Sequence, residues 1–158
     1  MHPFRKAVED RDAAAIEALL AENVVFTSPV AFRPYPGKAI TAAILRGVLR
    51  VFEDFTYVRE ISDPGGRDHA LVFTATVGGR AIQGCDFLHF DEEGRIDDFT
   101  VMVRPLSAAQ ALAEAMGAQF ERIASEAARA GEAGAAGAAG EAGADGAVGA
   151  AGETPGRG

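Results

Sequence analysis

The stretch Ala21-Glu22-Asn23-Val24-Val25-Phe26-Thr27-Ser28-Pro29-Val30, followed by Phe32-Arg33-Pro34-Tyr35-Pro36-Gly37-Lys38, decides the fold. It reads as a helix end delivering into one short apolar strand, 24–26, which Pro29 stops because proline has no N–H to give a strand ladder. A stiff Pro-rich loop, 33–37, follows, and a helix starts near Gly37. On the N-terminal side, Phe4, Val8 and Arg11-Asp12 mark a first helix, and Ile16, Leu19 and Leu20 the apolar face of a second that Asp12 caps. On the C-terminal side, Ile40, Ile44, Leu45, Val48, Leu49 and Phe52 form a wide apolar stripe over 39–52, with Arg46 and Arg50 one turn apart beside it. Strands are predicted over 56–62, 70–77, 81–90 and 95–103. Gly78-Gly79 and Asp91-Glu92-Glu93-Gly94 are short hairpin loops, so the last three strands form an antiparallel meander. Leu106-Ser107 opens a final helix, with Ser107 as N-cap and Leu112, Met116, Phe120 and Ile123 as its stripe.

The chain has 158 residues, 48% of them hydrophobic, enough for one well-buried core and too few for two ordinary domains. Composition breaks after Ala130: from Gly131 to Gly152 a glycine recurs at every third position with alanine filling most gaps. That is the collagen period, yet the repeat lacks the imino acids a triple helix needs. The reading is one domain, 1–130, and a Gly/Ala-rich disordered tail, 131–158, because side chains this small cannot bury enough surface to offset chain entropy.

A net charge of −8 argues against a nucleic-acid partner, since phosphate contact needs a basic surface. No apolar stretch approaches the roughly 20 residues of a membrane span, and the N-terminus has no signal-peptide core. A cytoplasmic protein without membrane contact is the expectation. The single Cys85 cannot form an internal disulfide. His2, His69 and His89 are scattered without metal-ligand spacing, and there is no phosphate loop or nucleophile elbow, so neither metal nor cofactor is expected.

This order of elements resembles the nuclear transport factor 2-like superfamily, which includes the ketosteroid isomerases and the SnoaL-like polyketide cyclases, over residues 2–123. The resemblance implies an α+β, cone-shaped domain: a curved mixed or antiparallel sheet wrapped around three N-terminal helices, closed by a C-terminal helix, with a deep pocket on the concave face. Homodimers paired through the outer sheet face are common in this superfamily, and a homodimer is the expectation here, through the face that carries Gln83, Cys85, Phe87 and His89.

Alternation places Ile82, Gly84, Asp86, Leu88 and Phe90 on one face of their strand, and Gln83, Cys85, Phe87 and His89 on the other. Asp86 therefore sits among apolar neighbours, where desolvation opposes ionisation and a protonated carboxyl can donate to a ligand oxygen. A structural Asp satisfied by backbone or arginine is the competing reading. The resemblance adds that Asp86 falls where ketosteroid isomerases carry the protonated aspartic acid of their oxyanion hole. By the same alignment their general base falls on Ser28 and their oxyanion tyrosine on Phe4. A serine hydroxyl without a partner base takes no proton from carbon, and phenylalanine has no donor, so the isomerase machinery is not present as such.

Asp98 is a second candidate acid or base, on a face shared with Thr100, Met102 and Arg104, against the simpler reading of a solvated strand start. Tyr35 is a candidate rim residue fixed by its flanking prolines, whereas Tyr57, alternating with Arg59 and Ile61, is expected to pack at the sheet surface or a dimer interface. The ligand-binding residues are then Phe4, Phe26, Ser28, Tyr35, Phe52, Ile82, Leu88 and Met102, with Asp86 and Asp98 as catalytic candidates. The first functional expectation is an apolar pocket that binds a small hydrophobic molecule. The alternatives are a cofactor-independent acid/base enzyme (cyclase, isomerase, dehydratase or epoxide hydrolase) on a cyclic apolar substrate, and a non-catalytic dimeric scaffold.

Overall fold

The computed structural model describes residues 1–134. In chain order the elements are α1 (Pro3–Glu9), α2 (Ala13–Ala18), β1 (Leu20–Thr27), β2 (Tyr35–Pro36), α3 (Lys38–Val51), β3 (Glu53–Ser62), β4 (Asp68–Val77), β5 (Arg80–Phe90), β6 (Ile96–Arg104) and α4 (Leu106–Gly134). The strands form one open six-stranded sheet of order β2-β1-β6-β5-β4-β3. It is mixed: β1 runs parallel to β6, and every other neighbouring pair is antiparallel. The α+β cone architecture that the resemblance implies is observed.

Local chemistry sets most boundaries. Asp12 caps α2 through Oδ1, which accepts from Ala15 N–H at 2.9 Å, and the His2 ring caps α1 by accepting from Phe4 N–H at 3.2 Å. Gly37 turns the chain into α3 at φ 106°, a conformation that only glycine adopts freely, and its N–H bonds the Val24 carbonyl at 2.7 Å. The last helix begins at Leu106, one residue ahead of the Ser107 cap, with Ala109 N–H on the Pro105 carbonyl at 3.0 Å. It continues through Gly134, into the Gly/Ala repeat. The rest of the expected disordered tail, 135–158, lies outside the described residues.

Two strand readings needed correction. The first strand runs from Leu20 rather than 24, because a register shift between Leu20 and Val25 turns Glu22 and Asn23 to solvent and hides the alternation. The expected Pro-rich loop contributes β2, paired to β1 as Val25 with Pro36 and Phe26 with Tyr35. Proline is tolerated there because β2 is an edge.

The helices pack on one sheet face, where Leu71, Phe73, Ala75 and Val77 of β4 and Ile82, Leu88 and Phe90 of β5 join Ile40, Ile44 and Leu45 of α3 in a single buried core. Burial of such side chains contributes roughly 1.5–3 kcal/mol each and outweighs any polar contact at the surface. Carboxylates of α2 and α4 clasp α3: Arg46 meets Glu126 at 3.0 Å and Glu17 at 3.2 Å, and Arg50 meets Glu126 at 3.4 Å. Among the described residues no helix is long and apolar enough to cross a membrane.

Candidate functional site

Between the sheet and helices α1, α3 and α4 lies a cavity of about 250 Å³. Its wall is mostly hydrocarbon: Phe4 and Val8 from α1, Phe26 from β1, Ile44, Val48 and Leu49 from α3, Phe99 and Val101 from β6, Leu112 and Met116 from α4. Aromatic edges lock it, with Phe4 and Phe26 each set T-shaped against Phe99 at 5.3 and 5.2 Å. On the other side Phe73 stacks on Phe55 at 4.8 Å and leans on Phe52 at 5.6 Å.

One polar pair stands in this wall. Asp86 of β5 is 6% exposed, and its Oδ2 accepts from the Tyr57 hydroxyl of β3 at 2.6 Å. The contact is diagonal: Phe73 of β4 is in register with Tyr57 and Gly84, and Asp86 pairs with Leu71, two residues along. Glycine at 84 makes this possible: a Cβ there would lie 2.3 Å from Phe73 Cζ. The Phe73 ring thus occupies the space a side chain at 84 would take. Burial pushes the Asp86 carboxyl up to about 7, against the opposing pull of the Tyr57 hydrogen bond. Burial, followed by the neighbouring Asp86 charge, holds the Tyr57 phenol well above its ordinary range.

The pair can therefore act in two protonation states near neutrality. With Asp86 protonated, the two groups share two O–H protons, and one can be donated to a ligand oxygen. With Asp86 ionised, Tyr57 holds Oδ2, and Oδ1 is the free basic atom of the carboxylate.

The candidate residues divide by face. Phe4, Phe26, Ser28, Phe52 and Asp86 all line this cavity. Asp98 does not: it is exposed, accepts from Thr100 Oγ1 at 3.4 Å, and lies in a shallow depression of the opposite sheet face with Phe87 and His89. Met102 shares that outer face and is 60% exposed, because the cavity-facing members of β6 are the odd-numbered Phe99 and Val101. Ile82 and Leu88 share the inward face of Asp86 but are packed into the core on either side of it. Tyr35 is half-buried on β2, away from the cavity lining. Ser28 Oγ accepts from Val30 N–H at 3.1 Å, a turn contact within its own loop. Asp97, next to Asp98, pairs with His89 Nδ1 at 2.6 Å, and this bond raises the imidazole pKa.

Tyr57 corrects the sequence reading. It is 2% exposed and points inward, not at the sheet surface, because β3 shifts register between Tyr57 and Arg59 and again between Glu53 and Thr56. Extrapolating one alternation through Tyr57, Arg59 and Ile61 crosses a bulge that resets it. The aromatic pair Phe55 and Tyr57, two apart at the start of the strand, was the available signal. The rim residues Arg11 and Asp54 were also missed. They are the two non-glycine residues at positive φ among those described, 54° and 51°, and both line the cavity.

Comparison with known proteins bears on this arrangement. The SnoaL-like domain model matches residues 2–99. A steroid delta-isomerase from Pseudomonas aeruginosa is 43% identical, over 77% of this chain and 89% of that one, with a TM-score of 0.73. An uncharacterised bacterial protein of cystatin-like fold from Silicibacter pomeroyi is 35% identical over 78% of this chain and 89% of its own, also at 0.73. An NTF2-like protein of unknown function from Cytophaga hutchinsonii, 19% identical with a TM-score of 0.53, covers 65% of this chain and 85% of its own and shares the fold alone. No match was found among curated protein sequences. With the family model spanning more than half its length and its elements in the order described, the chain belongs to the SnoaL-like domain family of the nuclear transport factor 2-like superfamily.

Proposed function

We propose that the cavity binds a small, largely apolar molecule bearing a carbonyl or phenolic oxygen, which hydrogen-bonds to the Tyr57–Asp86 pair. The observation that carries this reading is a buried carboxyl whose one protein partner among the described residues is a phenol, set in a wall of aromatic and aliphatic side chains. A protonated carboxyl in such a place carries an O–H donor, and Tyr57 is its one side-chain partner among the described residues. A ligand oxygen in contact with the pair accepts the O–H that is left over. The test is a carboxyl-carbon NMR titration of Asp86 with and without 2-naphthol. Binding should move the Asp86 resonance and its pKa, and Asp86→Asn should weaken naphthol binding roughly tenfold, as for loss of a hydrogen bond to a chargeable group. A native pKa near 3.9, unmoved by naphthol, would end the proposal.

A second reading, cofactor-independent isomerisation, is favoured by the 43% identity to a protein described as a steroid delta-isomerase. Ser28 supplies no base there, but Asp86, with its pKa near 7, exists in both forms at neutral pH. One group could then take a proton from carbon as the carboxylate and return it elsewhere as the acid. Solvent-deuterium incorporation into a cyclic enone, abolished in Asp86→Asn, tests this reading.

A further inference from the structure

We propose that Arg11 forms a second recognition point at the cavity mouth and takes a carboxylate on the end of the ligand remote from Asp86. This rests on the reading that Asp86 and Tyr57 hold an oxygen at the other end. The ligand class is then a bifunctional apolar acid: a flat hydrocarbon body with a phenolic or carbonyl oxygen at one end and a monoanionic carboxylate at the other.

Arg11 is the one cationic side chain among the residues lining the cavity. Arg5, Arg46, Arg50, Arg67 and Arg122 each meet a carboxylate; Arg11, like Arg33, Arg59, Arg80, Arg95, Arg104 and Arg129, is in no ion pair among the described residues, and of these it alone lines the cavity. Its Nη2 donates to the Leu49 carbonyl at the end of α3. A guanidinium carries five N–H donors in a rigid fork, so this bond orients the group and leaves most of its donors free.

The backbone holds Arg11 in place from the other side. It sits at φ 54° in the turn between α1 and α2, where its N–H bonds Val8 O at 3.0 Å and the next N–H bonds Ala7 O at 2.9 Å. Left-handed backbone is strained for a residue with a Cβ such as arginine. Glycine or asparagine would occupy the turn more easily, so the turn alone does not call for this side chain.

Two carboxylates share the rim. Glu9 is engaged by Arg5 at 3.0 Å. Asp54 is in no ion pair among the described residues and opposes an incoming anion. Together with a net charge of −8, this disfavours multiply charged groups such as phosphate and favours a single planar carboxylate that meets the guanidinium side-on.

Affinity measurements on two matched pairs test the proposal: 2-naphthol against 6-hydroxy-2-naphthoate, and 4-phenylphenol against 4′-hydroxybiphenyl-4-carboxylate, the two acids differing in length. In the wild-type protein at least one acid should bind about fivefold tighter than its neutral parent, as expected of a solvent-accessible charge pair. That preference should shrink with added salt, fall to about one or below in Arg11→Gln, survive in part in Arg11→Lys, and rise in Asp54→Asn. Ratios at or below one for both acids in the wild type would overturn the proposal, as would a preference that Arg11→Gln leaves intact or one for the matching ammonium compounds. If no phenol binds, neutral or charged, the Asp86 reading fails and this proposal with it. If the neutral phenols bind through Asp86 without an acid preference, only the Arg11 proposal fails.

Discussion

The Tyr57 hydroxyl on β3 donates to Asp86 Oδ2 on β5 across 2.6 Å, spanning the width of the intervening strand β4. At ~4.8 Å per strand spacing the two backbones stand about 9–10 Å apart, so the long phenol and the short carboxyl close the gap between them. The Tyr57 hydrogen bond is the one force that lowers the Asp86 pKa; burial raises it.

Tyr57→Phe removes that bond and keeps the ring packed against Phe55 and Phe73. The Asp86 pKa should then rise further above about 7, and stability should fall by ~1–2 kcal/mol as a buried acceptor loses its donor. NMR titration of the carboxyl carbon and urea unfolding measure the two effects. A fall in the pKa would contradict the assigned roles.

The pH dependence follows from the raised pKa. The folded-state value of about 7 exceeds the ordinary 3.8, so the native state binds this proton more tightly than the unfolded chain. The stabilisation is fully present below about pH 4, declines as pH rises, and is lost above about pH 7, a span worth up to ~4 kcal/mol at about 1.4 per unit. Asn at 86 still offers Tyr57 a carbonyl oxygen but does not titrate. The stability difference between Asp86→Asn and wild type should therefore shift in favour of the variant from pH 5 to pH 8. A difference that stays flat across that range, measured by denaturant unfolding, would show that Asp86 ionises normally.

Much of this site was legible in the residues. The period of two along β5 places Asp86 between Gly84 and Leu88 on the buried face, and the burial pattern follows it. Phe4, Phe26 and Phe52 are large apolar residues with few places to go in a small domain, and all three reach the cavity wall. Tyr57 was harder to read because the two register shifts in β3 reset its alternation with Arg59 and Ile61, and only its spacing from Phe55 pointed inward. Asp98 misled for the opposite reason. Its alternation partners Thr100 and Met102 were correctly grouped, but periodicity alone does not say which face of β6 turns inward.

Gly84→Ala tests the packing beneath the pair. The added Cβ would meet Phe73 Cζ at 2.3 Å and the Met102 carbonyl oxygen at 2.9 Å, and backbone on that side cannot yield as a side chain can. Displacing Phe73 disturbs its contacts with Phe52, Phe55 and Tyr57 together. The variant should lose ~1–3 kcal/mol of stability and bind naphthol more weakly although neither Asp86 nor Tyr57 is altered. Unchanged melting and binding would show that the wall is more plastic than its aromatic packing implies.

The outer sheet face leads to an expectation of self-association. Ile61, Ala70 and Phe87 are register partners in one row across β3, β4 and β5, and Val72, Cys85 and Met102 form the next row across β4, β5 and β6. Ile61, Phe87 and Met102 are 50%, 41% and 60% exposed on the side away from the cavity, an apolar cluster flanked by Arg59, the register partner of Val72, and Thr100, the register partner of Phe87. Scattered apolar side chains at a surface are ordinary, whereas a cluster of them in adjacent rows marks a face for association. A second copy of the same cluster offers matching chemistry through a twofold contact. The protein should sediment as a homodimer at micromolar concentration, and Phe87→Glu should shift it to monomer without changing its naphthol affinity, because Phe87 faces away from Asp86. A wild-type protein that sediments as a monomer would remove the dimer. A dimer that persists in Phe87→Glu and Met102→Glu would move the contact to another face.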